Sequence, residues 1–309
     1  MIKKLAHNVL QHLGILSRLR QYQRELDKIK ILVARGLIAQ MKSAGPQDNI
    51  CNFEFSVFSQ WGDDGIIQYL VHRLGIVPHS FVEFGVENYL ESNTRFLLIN
   101  NNWRGLVIDA SKENVDCIKK DEIYWKYDLT AVCAHVTMEN INRTLVENGF
   151  EGDIGILSID VDGNDYWIWS SIDVINPTLV IIEYNSFFGE KRAVTIPYEP
   201  EFVRTKAHYS TVYWGASLKA LCFLAGKKGY VFVGSNSNGN NAYFVRKDRS
   251  RTLKVQSPES GYVKARYREA RDRHGQLIHV SGEDALKTIG DMPIYDVENE
   301  TTVRISDLF

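Results

Sequence analysis

The sequence lacks most of what would mark a secreted, membrane-spanning or nucleic-acid-binding protein. Cysteine is scarce: four in 309 residues, at Cys51, Cys117, Cys133 and Cys222, with no CxxC pair. That argues against a cysteine zinc site and, at this length, against a fold stapled by disulfides. The four read as reduced thiols, mostly buried, in a cytoplasmic protein. No run approaches the roughly 20 apolar residues of a transmembrane helix. His7, Asn8, Gln11 and His12 make the N-terminal stretch too polar for a signal-peptide core. Basic charge is not in excess: 36 Lys and Arg stand against 38 Asp and Glu, a net of -2. A globally basic nucleic-acid binder is excluded, and no nucleic-acid partner is expected. There is no internal repeat, no low-complexity tract and no three-glycine phosphate loop.

With 44% hydrophobic residues the chain is long enough to bury a substantial core. Residues 1 to about 43 carry apolar residues near helical spacing (Leu5, Val9, Leu13, Leu16, then Ile29, Leu32, Val33, Leu37 and Met41). They predict an amphipathic helical arm (1–45), with a homodimer contact or a substrate lid as alternatives. Ser43–Asn49 reads as a linker. The body follows (50–250), then a more polar C-terminal extension packed on it (251–309).

In the body, strands alternate with helices. Asp63 and Asp64 open a helix over Ile66–Leu74, where acids suit the positive end of the helix dipole. Strands are predicted at Ser80–Gly85, Gly105–Asp109, Ile123–Asp128, Ile154–Asp160 and Thr178–Glu183, and helices at Glu91–Asn101 and Gly215–Lys228. Tyr230–Gly234 and Ala242–Arg246 are two further strands. The turn formers between them, SNSNGNN, leave no room for a crossover helix, so this pair is an antiparallel hairpin. The fold class is α/β: a mainly parallel sheet, covered on both faces and closed by one antiparallel hairpin. In the extension, Arg266, Arg268, Arg271 and Arg273 read as a solvated helix face.

Ligands of open α/β sheets bind beyond the carboxyl ends of the strands. There the sequence offers Glu83 followed by Gly85, then Asp109, then Asp128. Asp109 suits a ribose diol and Asp128 an adenine amino group. The missing phosphate loop counts against a dinucleotide and less against S-adenosylmethionine, which has no phosphate. The next strand runs into Asp160, Asp162 and Asp165 (LSIDVDGNDYW), and the one after into Glu183 and Asn185. Asp160, Asp162, Glu183 and Asn185 make a set of hard oxygen donors suited to Mg²⁺. Without metal, Asp160 or Asp162 is a candidate general base, as is His208 further on. The same acids also fit cofactor binding or helix capping. The Asp-Val-Asp-Gly loop fits, in addition, a Mg²⁺-dependent haloacid-dehalogenase-type phosphatase with Asp160 as nucleophile and Asp162 as acid/base. An EF-hand does not fit, because its glycine and final Glu are misplaced. Trp167 and Trp169 read as core, and Tyr213–Trp214 either stack on a sugar or pack. A non-catalytic nucleotide-binding scaffold is the remaining alternative.

Several of these segments together resemble the FkbM-type methyltransferases: SFVEFGV with ESNT, GLVIDAS, ILSIDVDGNDYW and VIIEYN. Ser59-Gln60-Trp61-Gly62-Asp63-Asp64 is similar to a Ser-Gln-x-Gly-Glu-Asp segment of that family. The resemblance runs from about Phe58 to Arg246. It implies a Rossmann-like class I methyltransferase sheet, an S-adenosylmethionine cofactor and O-methylation of a sugar or another polar small molecule. By the same resemblance Gln60, Glu83, Gly85, Asn93, Asp109, Asp128 and Asp160 would hold the cofactor, with Asp160 bordering the transfer site. Asn164-Asp165 departs from the family's commoner Ala-Glu. Glu183-Tyr184-Asn185 replaces the Asp-Asp pair by which distant, Mg²⁺-dependent sugar O-methyltransferases bind their metal.

Overall fold

The computed structural model describes residues 2–265, 269–280 and 282–309; of residues 2–17, 20 and 269 only the backbone is described. It has two compact units, Met1–Ala44 and Gly45–Phe309. The first is one long helix, α1 (Ile2–Ser43). No helix among the described residues is long and apolar enough to cross a membrane.

The second unit is built on a seven-stranded sheet. Its strands are β1 (Ser80–Phe84), β2 (Arg104–Asp109), β3 (Leu129–Cys133), β4 (Gly152–Ile159), β5 (Ile175–Glu183), β7 (Tyr230–Ser235) and β8 (Asn241–Arg246). They lie in the order β3-β2-β1-β4-β5-β8-β7. The first five are parallel, and β8 runs antiparallel between β5 and β7. This is the Rossmann-like methyltransferase sheet that the sequence led us to expect. Its central strands are buried over most of their length and mostly apolar, because helices cover both faces. Those helices are α2 (Asp63–Leu74), α3 (Arg95–Asn101), α4 (Lys112–Lys120), α5 (Glu122–Lys126), α6 (Ile141–Glu147), α7 (Asp165–Ser171) and α9 (Leu218–Lys227). Their ends are set locally. Ser111 and Ser217 accept the Asn114 and Ala220 N–H at the starts of α4 and α9, and Gly75 ends α2 at φ +54°. A core on one face of the sheet, where α6, α7 and α9 pack, runs from Phe84, Ile108 and Leu157 to Trp169, Leu221 and Phe244.

Between β5 and α9 the chain makes a long excursion holding β6 (Val194–Thr195) and α8 (Arg204–Ala207). The C-terminal segment folds against it. β11 (Pro293–Asp296) pairs with both β6 and β12 (Thr301–Arg304). A second core of Phe188, Ile196, Val212, Tyr213, Ala285, Ile289 and Ile294 lies there.

Three local readings are corrected. Ile123–Asp128 is not a strand: Asp121 caps α5 by accepting the Ile123 N–H, and β3 begins only at Leu129. Arg271 ends a short strand, β9 (Glu269–Arg271), that pairs with β10 (Leu277–His279) in a hairpin, with Arg273 in its turn; Arg266 and Arg268 lie outside the described residues. Cys117 and Cys133 are exposed rather than buried.

Candidate functional site

The chain reverses direction across the sheet between β1 and β4, which is where ligands of such sheets bind. A cavity of about 810 Å³ opens there, within the size range of small-molecule sites. Gly85 makes it possible for the two strand ends to meet. Its φ is +70°, and a Cβ would sit 1.6 Å from the Asp160 carbonyl oxygen. The loop that follows turns without further glycines. Glu87 and Tyr89 take left-handed φ of +48° and +62°, and side chains tie them down. Asp109 Oδ2 accepts the Glu87 N–H at 2.8 Å, and Arg95 Nη1 donates to the Tyr89 carbonyl at 2.9 Å.

Two acids that look alike in sequence differ in what they have left to offer. Glu83 is buried, and all its lone pairs are engaged: by the Asn93 and Thr94 N–H groups, by a short bond from Thr94 Oγ1, and by Ser158 Oγ. It organises the Ser92–Thr94 turn, from which Asn93 Nδ2 also reaches Ser158. Asp109, at the end of β2, accepts three donors: the Glu87 and Ser111 N–H groups and Asn114 Nδ2. One lone pair remains for a ligand hydroxyl.

Asp160 and Glu183 stand at the ends of adjacent strands β4 and β5. With Asp162 they bring one carboxylate oxygen each within 4.8 Å of one another. Burial, reinforced by the neighbouring carboxylates, pushes Asp160 and Glu183 well above the usual carboxylate range. Two such acids side by side each disfavour the other's ionisation. Glu183 Oε2 is buried without a partner. Asp162 projects outward at φ +55° and pairs with Arg204 Nη1 at 2.9 Å. Arg204 lies 4.8 Å over the Trp214 ring and also donates to the Thr211 carbonyl. Asp165 is a loop tie: its carboxylate accepts the Val161 and Gly163 N–H groups and is raised to about 6 by burial.

The lining gathers Gln60, Glu83, Gly85, Asn93, Asp109, Asp160, Asp162 and Glu183. Three expected members stand elsewhere. Asp128 precedes β3, at the opposite end of the sheet from the cavity, and lies exposed beside Arg104. Asn185 is fully buried and outside the cavity lining: its Nδ2 donates to the Val212 and Trp214 carbonyls and its Oδ1 accepts the Phe187 N–H. His208 is outside the lining, bonded to Ser210 Oγ at 2.7 Å; burial and nearby Arg273 lower its pKa. Tyr213 and Trp214 are buried and pack. Sequence reasoning missed Ala134, His135 and Val136 beyond β3, Arg204 and Phe202 of the excursion, and Asn240–Asn241 of the hairpin. Only the asparagines left a signal, and it read as turn chemistry.

The start of α2 holds two of these walls. Asp64 Oδ2 accepts the Val57, Phe58 and Ser59 N–H groups, which fixes the approach to Gln60. Buried Asp63 accepts Asn236 and Asn241 Nδ2 and a short bond from Tyr243, which fixes the asparagine loop.

No family model and no curated protein matches the chain. Among solved structures it is similar to an S-adenosylmethionine-dependent methyltransferase from Clostridium acetobutylicum, at 12% identity and TM-score 0.31 over 44% of this chain and 56% of that one. It is also similar to TrmK from M. capricolum in complex with S-adenosyl-homocysteine (12%, TM-score 0.32, 57% and 65%). A third is an O-methyltransferase from Bacillus cereus, also in complex with that product (13%, TM-score 0.35, 70% and 88%). The chain thus spans little more than half of the first of these structures. Likeness at this level bears on fold alone, and activity has to be read from the site.

Proposed function

We propose that this chain is an S-adenosylmethionine-dependent methyltransferase of the FkbM type, acting on a hydroxyl of a carbohydrate or another polar small molecule. The observation that carries this reading is the charge of the cavity at the switch point. Seven carboxylates line it (Glu83, Glu87, Glu91, Asp109, Asp160, Asp162 and Glu183) against one arginine. A sulfonium and an ammonium group are welcome there, and the open lone pair of Asp109 suits a ribose hydroxyl. A phosphate ester would enter only with a bound cation to offset these carboxylates, whereas the cationic cofactor needs none.

The bound cofactor supplies an electrophilic methyl carbon. The protein's work is to hold an acceptor oxygen in line with that carbon and to take its proton. Asp160 and Glu183 stand together at the cavity floor, where either carboxylate can serve that purpose. Asp162 stands at the rim, with Arg204 balancing its charge. Asp160, Asp162 and Glu183 also fit a hard divalent cation such as Mg²⁺, and the unpartnered Glu183 Oε2 is an available donor; such a cation would lower the acceptor hydroxyl's pKa.

The test is calorimetry with S-adenosylmethionine and S-adenosylhomocysteine. Both are expected to bind, the cationic one more tightly, with the difference shrinking as salt screens the carboxylates. No binding of either would sink the proposal.

We also propose that α1 pairs with α1 of a second copy. Leu19, Tyr22, Leu26, Ile29 and Val33 follow the alternating three-four spacing of a coiled-coil seam, and all are more than half exposed. Glu25 and Lys30 flank this seam where parallel helices bring opposite charges together. Antiparallel helices centred on the same seam would set Glu25 against its own copy.

A further inference from the structure

We propose that Gln60 and Trp61 form the sill of a second subsite, one that takes the outer units of an extended, uncharged carbohydrate acceptor. This rests on the methyltransferase reading and names the acceptor more closely. Beside the main cavity lies a groove of about 490 Å³, and Gln60 and Trp61 line both. A ligand with its reacting unit in the first can therefore continue into the second.

The groove's chemistry selects its occupant. Trp61 is 37% exposed, and its indole meets no other ring and no cation among the described residues. By contrast, Trp103, Trp169 and Trp214 are buried, and exposed Trp125 lies under the Lys126 ammonium. An open indole face suits the apolar C–H face of a sugar ring. Around it stand Glu54, Ser56, Gln60 and Asn238, whose carboxylate, hydroxyl and amides suit sugar hydroxyls. Glu54 is the one charged residue of the lining, and it is an anion. A nucleic acid stacking on Trp61 would need lysine or arginine for its phosphates, and the lining has neither.

The platform is also held ready. The buried Asp64 carboxylate binds three successive N–H groups at 2.7, 2.7 and 2.8 Å, just ahead of Gln60. On the far side the Phe55 carbonyl accepts the Gly65 N–H at 3.0 Å. A backbone fixed before binding loses little freedom when a ligand arrives.

The experiment screens the full chain on an array of mono- to hexasaccharides, then takes the best-bound oligosaccharide and its monosaccharide to calorimetry, alongside S-adenosylhomocysteine. The oligosaccharide is expected to bind more tightly than the monosaccharide. Trp61→Ala should weaken it roughly tenfold and Trp61→Phe roughly threefold or less. Trp61 borders the main cavity too, so Ser56→Trp serves as the separating variant. Ser56 is exposed and lines only the groove, and filling it should block the oligosaccharide while S-adenosylhomocysteine still binds. If no glycan binds, or if binding is indifferent to Trp61→Ala and Ser56→Trp, the subsite is overturned whatever the cofactor does. If S-adenosylhomocysteine fails to bind but the oligosaccharide is lost in both variants, the groove stands as a sugar site and the methyltransferase reading falls.

Discussion

Asp109 and Glu83 show how much a single carboxylate's role depends on what already occupies its lone pairs. Asp109 has one to spare, so Asp109→Ala should weaken S-adenosylhomocysteine by about 1.5–3 kcal/mol, tenfold to a hundredfold in Kd by calorimetry. Circular dichroism should show the fold intact. Glu83→Gln removes an acceptor from a carboxylate with none to spare, so the expected loss is stability first, read as a lower Tm. A Glu83→Gln variant as stable as the parent but unable to bind would reverse these roles.

Among elements, the junction of β1 with β4 is the least forgiving. Gly85→Ala meets both the left-handed φ and the Asp160 backbone and should cost about 3 kcal/mol or more in chemical denaturation. Gly152→Ala has a similar φ of +73° but nothing within 4 Å, so about 1–2 kcal/mol is expected there. Equal costs at the two sites would mean that the close approach of the strands is not what requires glycine. For α1, Leu26→Asp with Ile29→Asp places charge on the exposed seam. Light scattering should find the parent dimeric and this variant monomeric; a monomeric parent would dispose of the pairing. The excursion after β5 owes its shape to distant chain: Tyr213 donates to the Pro293 carbonyl at 2.6 Å, and the C-terminal strands back the segment that presents Phe202 and Arg204.

At the scale of the whole molecule, the buried carboxylates make stability depend on pH in an unusual direction. Burial raises Asp64 and Asp165 from 3.8 to about 6, and raises Asp160 and Glu183 as well. The folded chain therefore holds these protons more tightly than the unfolded one. The stability that Asp64 and Asp165 contribute is full below about 4 and is lost as pH rises through 6, and Asp160 and Glu183 act in the same direction. Exposed carboxylates held low, such as Glu139 beside Tyr198, act oppositely in more acid solution, and His208, whose pKa is lowered, acts oppositely as a single group within the interval. Between pH 7 and pH 5 Tm should thus rise, by about 2–4 °C for each kcal/mol recovered, and the rise should be smaller in Asp165→Asn. A Tm that falls steadily over that interval would contradict the buried charges.

The order of strands and helices was legible in the sequence because it rests on local rules. Apolar runs such as ILSI and TLVIIE, too short for helices, have to be buried strands, and SNSNGNN is too short to cross a sheet. The acids at Asp109, Asp160 and Glu183 were legible for the same reason, since a strand's last residue is a matter of local pattern. Asp128 was misplaced because one residue, Asp121, caps a short helix that apolar content alone cannot tell from a strand. What only the tertiary structure decided is which polar groups remain free. Glu83 offers the right atoms, but Asn93, Thr94 and the distant Ser158 Oγ consume them, and the fold buries Asn185 outside the cavity lining. Arg204 reaches the cavity from a segment with no readable pattern, Asn240 from a run that read as turn chemistry and Trp61 from a segment read for its neighbours, brought there by the second core and by the buried Asp63 and Asp64. Hydrogen bonds saturate and chain contacts are long-range, so whether a site residue is available is a property of the folded whole.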